Sequence, residues 1–153
     1  MPTQDPSIIE ALAKNEEKLS KLYQEYAATY KDYQVFWSTL SEEELTHALW
    51  LRSLEESYRK GALPVNEKFH IETVKLFDDY LEERLVDFKV EKFGMNRALV
   101  VSLDIENSLI DKSWFKMFEP IEVKDKLIIH QLISALEIHR DRVTKMIIEY
   151  QSK

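Results

Sequence analysis

The chain contains no cysteine. Disulfides, thiolate zinc sites, haem-thiolate bonds and Cys-ligated iron-sulfur clusters are therefore excluded, and any bound metal must take carboxylate and imidazole ligands. Glycine and proline are scarce, at two and four among 153 residues. With so few helix breakers and with abundant Leu, Glu, Lys and Ala, the composition is that of an all-α protein. No Lys/Arg cluster occurs and the formal net charge is -7, which argues against a nucleic-acid backbone or an anionic membrane as partner. No apolar run approaches the roughly 20 residues that span a bilayer. The stretch from Met1 to Ile9 lacks the basic and apolar regions of a signal peptide. A cytoplasmic protein of one domain, residues 1–153, is expected.

Apolar residues recur at helical spacing in five segments. The first runs from about Pro6 to Lys31, with Asp5 as N-cap, Pro6 at the first helical position and the stripe Ile9, Leu12, Glu16, Leu19, Tyr23, Tyr26, Tyr30. Asp32 can cap a second helix from Tyr33 to Lys60, ended by Gly61 with Pro64 beyond it. Ser41-Glu42-Glu43-Glu44 is a capping-box sequence and offers a rival start, but Trp37 and Leu40 continue the stripe without a break and favour the earlier one. Asn66 can cap a third segment from about Glu67 to Phe93, open to a break near Tyr80, that buries Phe69, Val74, Phe77, Leu81, Leu85 and Phe88 and is closed by Gly94. The fourth helix, from about Asn96 to Phe118, carries Leu99, Leu103, Glu106, Ile110, Ser113 and Met117, and Pro120 forces a turn after it. The last, about Val123 to Tyr150, carries Leu132, Leu136, His139, Val143, Met146 and Tyr150. Two hairpins packed at about 20°, with the third segment as a long crossover, make a four-helix bundle.

Polar residues interrupt four of these stripes. In the second helix the stripe Trp37, Leu40, Glu44, His47, Leu51, Leu54, Tyr58 contains a Glu-x-x-His pair. Groups at i and i+3 project from one side of a helix about one turn apart, the geometry by which bundles hold metals between helices. Glu16 lies about 16 residues before the first turn and Glu44 about 12 after it, so at 1.5 Å per residue both sit roughly 18 to 24 Å from that turn. Glu106 and the pair Leu136 and His139 likewise lie at similar distances, about 15 to 18 residues, from the second turn near Ile121. Singly, each has a plainer reading: Glu44 as part of a capping box, Glu106 on a solvated face, His139 as a hydrogen-bonded structural histidine. Together they are buried carboxylates and imidazoles at matched depths, which would repel one another unless gathered around a cation. Such a ligand set suits iron, with manganese the alternative, and open coordination positions would allow chemistry with dioxygen or peroxide. His70 and His130 fall outside this set and read as structural or exposed. Tyr23, Tyr26 and Tyr30 read as packing residues, with Tyr23 lining the site as a second reading.

Four segments resemble the ferritin-like superfamily and, within it, the rubrerythrins. "NEEKLSKLYQEYA" is similar to that family's first helix, with Glu16 seven residues before Tyr23. "FWSTLSEEELTHALWLRSL" resembles the second, with Glu44 in the place of the bridging carboxylate and His47 of the imidazole ligand. "ALVVSLDIENSLIDKSWF" resembles the third, with Glu106 as ligand, and "LISALEIHRDRVTKM" the fourth, with His139 as the second histidine. The resemblance implies a ferritin-like four-helix bundle, a binuclear iron site and an oxidoreductase of peroxidase, oxidase or ferroxidase type. The chain departs from the family at Leu136, where the last helix would carry its own glutamate. Glu137 replaces that acid only if the helix distorts. The rubredoxin module of many rubrerythrins is absent, so an external electron donor is expected for any redox cycle. One or two metal ions are expected, and a homodimer is compatible with the sequence. Leu136 favours the alternative, a degenerate bundle serving as a non-catalytic interaction or sensing module.

Overall fold

The computed structural model describes residues 7–66 and 68–153, and it begins with a helix cap. The Ser7 hydroxyl accepts the Glu10 N–H at 3.0 Å and starts α1, Ile8–Thr29. Asp5 and Pro6, the cap and first helical residue expected from sequence, lie outside the described residues, as does Glu67. A 3-10 turn, Lys31–Tyr33, leads straight into α2, Gln34–Arg52, without a side-chain cap from Asp32. Ser41 does not start a helix. It lies buried within α2, and its hydroxyl donates to the Ser20 carbonyl while the Ser20 hydroxyl donates to that of Ser41, at 2.9 and 2.8 Å. These reciprocal bonds satisfy two buried hydroxyls and let α1 and α2 approach closely.

The second helix ends earlier than its apolar stripe suggests. Ser53 turns its hydroxyl back on the Trp50 carbonyl at 2.5 Å, and the Leu54 N–H bonds to Leu51, three residues back instead of four. After this one-turn interruption the short helix α3, Glu55–Arg59, runs to Gly61, whose φ of 79° takes the left-handed conformation open to glycine. α4 covers Ile71–Val90 without a break at Tyr80 and buries Val74, Phe77, Leu81, Leu85 and Phe88, with Phe69 half-buried ahead of it. Asn66 does not cap α4, because its side chain accepts the Lys68 N–H in a local turn at 2.9 Å. Gly94 does not close α4 either; it is extended and immediately precedes α5, Met95–Lys112. α5 stops short of Phe118 because Ser113 turns left-handed at φ 52° and donates its hydroxyl to Ile110, with a 3-10 turn at Trp114–Met117 following. Its buried face is Ala98, Leu99, Ser102, Ile105, Glu106 and Leu109, so Leu103 and Ile110 flank the core. α6 runs unbroken over Val123–Gln151.

The side-chain pairings fix the directions of the helices. Glu10 meets Arg52 and Tyr26 meets Trp37, so α1 and α2 are antiparallel. Lys18 meets Asp78 and Tyr26 meets Phe88, so α4 runs parallel to α1 and carries the chain back toward the α1–α2 turn. α5 packs along α6, while α6 meets α2 through the pairs Glu43–His139 and Tyr33–Tyr150. At the far end residues 62–66 pair with 117–121 through backbone hydrogen bonds and the Val65–Phe118 bridge, the one β-type pairing among the described residues. The all-helical expectation therefore holds, and α4 connects the α1–α2 pair to the α5–α6 pair.

Trp37 is the aromatic hub of this core. It is fully buried, lies 4.8 Å from Tyr26 and 5.6 Å from Tyr23 between ring centroids, and donates its indole N–H to the Met95 sulfur at 3.3 Å. It thus joins α1, α2 and α5 just above the polar layer. Trp37→Ala is expected to lower the unfolding free energy by about 3–5 kcal/mol, read by denaturant titration. A loss below about 1 kcal/mol would show that the core closes around the cavity.

Candidate metal centre

Glu16 on α1, Glu44 and His47 on α2, Glu106 on α5 and His139 on α6 are all buried, the most exposed being His47 at 6%. The antiparallel register of α1 with α2 brings Glu16 opposite the Glu-x-x-His turn, and the α5–α6 hairpin delivers Glu106 and His139 from the other side. Glu44 occupies the middle. Its Oε2 lies 3.4 Å from His47 Nδ1 and its Oε1 lies 2.6 Å from His139 Nδ1, so the two oxygens of one carboxylate face two different imidazoles. His47 Nδ1 also faces Glu16 at 4.0 Å, and His139 Nδ1 faces Glu106 at 3.8 Å. The imidazole rings themselves are 5.1 Å apart.

Glu44, His47 and His139 each offer one ligand atom within 4.8 Å of the others and form a buried group that could hold a metal ion. Oε2 of Glu16 and Oε2 of Glu106 are buried without a hydrogen-bond partner, an arrangement that costs stability unless a cation or proton meets them. The donor set, carboxylate oxygen and imidazole nitrogen, fits a divalent transition metal.

Three further residues belong to this layer. Tyr23 donates its phenolic proton to Glu106 Oε1 at 2.7 Å, so it lines the site as well as packing in the core. Glu43 accepts from His139 Nε2 at 3.3 Å on the side of the ring away from Glu44, and Arg142 pairs with Glu43 in turn. A carboxylate behind a histidine fixes which ring nitrogen carries the proton and leaves the other free for a metal. Sequence offered little signal for Glu43, since it sits off the apolar stripe among three consecutive acids. His70 and His130 are exposed. Leu136 is half-buried in a small hollow beside Ile110 and Ile133, and Glu137 is exposed at the rim of that hollow. α6 does not distort there, so Glu137 stays outside the polar layer.

Burial pushes the Glu16 carboxyl well above the usual carboxylate range, and the neighbouring Glu44 and Glu106 carboxylates push it further. Burial raises Glu106 as well, against the opposing pull of His139 and Tyr23. For Glu44 burial works in the same direction but is outweighed by hydrogen bonding from Glu16 and by His139 and His47, which together hold it below its ordinary value. Burial disfavours the His139 imidazolium, yet Glu44 and Glu106 overcome this and push the group up to about 11. Burial thus favours the protonated forms of Glu16 and Glu106, while Glu44 keeps its charge opposite the His139 imidazolium. No family model matches the chain, and no curated protein or solved structure matches it.

The proton balance sets the pH dependence of the metal-free protein. Glu16, Glu106 and His139 hold protons in the fold that the unfolded chain releases above its ordinary values of 4.5 and 6.5, so the stability they contribute is lost as pH rises. Glu44 acts oppositely, and its contribution is lost as pH falls below 4.5. The melting temperature of metal-free protein should be highest in mildly acidic buffer and decline toward pH 9, with Glu16→Gln flattening the decline. A melting temperature that rises steadily from pH 5 to pH 9 would contradict this electrostatic picture.

Proposed function

We propose that this chain is a ferritin-like four-helix bundle of rubrerythrin type that binds iron and acts as an oxidoreductase of the peroxidase, oxidase or ferroxidase kind, drawing electrons from an external donor. The observation that carries the proposal is Glu44, whose two oxygens face His47 and His139 from within one buried layer. The direction of the crossover helix α4, parallel to α1, supports the bundle topology. Glu16, Glu44 and His47 would hold one metal position, and Glu44, Glu106 and His139 the other, with Glu44 shared between them.

Bound iron supplies one-electron redox chemistry and open positions for dioxygen or peroxide. The chain's own residues prepare the site. Glu44 must remain ionised, which its imidazole neighbours ensure, while Glu16 and His139 must release their protons when a cation arrives. Glu43, neutralised by Arg142, accepts the Nε2 proton of His139 and so directs Nδ1 inward. Tyr23 keeps a phenolic proton in contact with Glu106 Oε1. Its ionisation is pushed far up by burial, so it serves as a donor throughout the neutral range.

Leu136 supports a second reading, a bundle that retains the fold for interaction or sensing without turnover. No carboxylate from that turn of α6 reaches the layer, so the position built on Glu106 and His139 has fewer oxygen ligands than the one built on Glu16 and His47. Anaerobic titration with ferrous iron followed by addition of peroxide distinguishes the two readings. Ferric absorbance that forms and is discharged by a reductant supports the oxidoreductase, whereas bound iron inert to peroxide supports the second.

Two outcomes are expected of metal binding. His47→Ala should lower the iron-to-protein ratio far more than His70→Ala or His130→Ala, because of these three histidines only His47 faces buried carboxylates; equal ratios would remove the support for this ligand set. Because the ligands gather only in the native state, removing metal with a chelator should lower the melting temperature of wild type but not that of His47→Ala. A shift of equal size in both proteins would place the metal elsewhere.

A further inference from the structure

The seam between α2 and α6 is left open where a bundle would ordinarily fill it. α2 and α6 meet only sparsely, and a cleft of about 360 Å³ lies between them with His47 and His139 at its floor. Small side chains keep it open, Thr46 on α2 and Ser134 and Ala135 on α6, where leucines would close a packed seam. Ala135 lies one turn before His139, so its missing bulk opens directly over that ring.

The walls describe what would fit. Trp50 forms one side, its ring 5.3 Å from that of His47, and Ile138 forms the other. Trp50, His47 and His139 thus follow one another along the cleft as tilted neighbouring rings, an aromatic lining suited to a flat ring. Its charged lining is already paired: Glu43 with Arg142, and the His139 imidazolium between Glu44 and Glu43, while His130 stands exposed at the rim. An ion entering between Trp50 and Ile138 would lose water without meeting a charge that lacks a partner. The volume lies near the lower end of small-ligand sites, about 300–1,000 Å³.

We propose that the α2/α6 cleft binds a neutral, planar aromatic molecule of phenol size, with its ring between Trp50 and Ile138 and its hydrogen-bonding group toward the imidazoles, as substrate of the buried centre. Its standing as a substrate rests on the metal-binding reading above. Its binding rests on the cleft alone and is open to test in metal-free protein.

The probes are phenol and benzoate, the same ring without and with a charge, titrated into the metal-free full chain. Trp50 fluorescence reports binding, with Trp50→Phe as the control for the signal, and amide chemical shifts locate it. Phenol is expected to shift amides along the Thr46 and Ser134–Ala135 seam, and benzoate to bind at least about tenfold more weakly. Ala135→Phe, which fills the cleft, should weaken phenol at least about tenfold while iron uptake stays at the wild-type ratio. Ser134→Leu narrows the same seam from a half-buried position and serves where Ala135→Phe does not fold. Phenol shifts scattered over the surface, benzoate binding equal to phenol, or undiminished phenol binding in the folded cleft variant would each overturn the proposal. Wild type that takes up iron but binds no phenol defeats the cleft and spares the centre; wild type that binds phenol but no iron defeats the centre and supports the cleft.

Discussion

Three carboxylates and two imidazoles buried in one layer are the constraint around which the rest of the molecule is arranged. Each of these groups would cost several kcal/mol to desolvate alone, and the carboxylates repel one another. The fold meets this cost by interleaving acid and base, so that each imidazole faces two carboxylates and Glu44 is shared. Even so, one oxygen each of Glu16 and Glu106 stays buried and unpartnered. A core selected for stability alone would carry leucines at these positions. The surplus of acceptors is understandable if a cation completes the layer, and that is the physical basis of the proposed metal centre.

The surrounding structure holds these groups at their level. α1 and α2 are locked in register by the Ser20–Ser41 hydroxyl exchange on one side of the layer and by Arg52, which bridges Glu10 and Glu17, on the other. The aromatic cluster around Trp37 closes the space above, with Tyr23 reaching from it into the polar layer. Facing α6 the packing changes character. There the ion pair of Glu43 with Arg142 and the small residues of the seam replace an apolar interlock, and a cleft reaches the imidazoles. Rigidity on the α1 side and openness on the α6 side are what a site that must both hold its ligands and admit a small molecule requires.

Much of this was legible in the sequence because burial imposes periodicity. Glu16, Glu44, His47, Glu106 and His139 stood out as polar residues on apolar stripes, and every one proves to be buried in the layer. Helix ends were less legible. The stop at Ser53 depends on a hydroxyl competing for a backbone carbonyl, and that at Ser113 on a left-handed serine, neither of which marks itself as a glycine or proline would. Glu43 escaped notice because its role depends on the approach of Arg142 from a helix 99 residues away, which no local pattern records. The cleft was hidden for a related reason, since small residues such as Ala135 and Ser134 signal nothing until the helix opposite them is in place. Leu136 was visible as the point where the last helix lacks an acid one turn before His139, and its half-buried position beside Ile110 and Ile133 suits a leucine.

The most direct measurement is an anomalous-difference map from crystals of the protein grown with ferrous iron under anaerobic conditions, collected at the iron absorption edge. A peak is expected between Glu44, His47 and Glu16. A second, weaker peak is expected between Glu44, Glu106 and His139. A map with no anomalous density in this layer, or with iron only at surface carboxylates, would contradict the account.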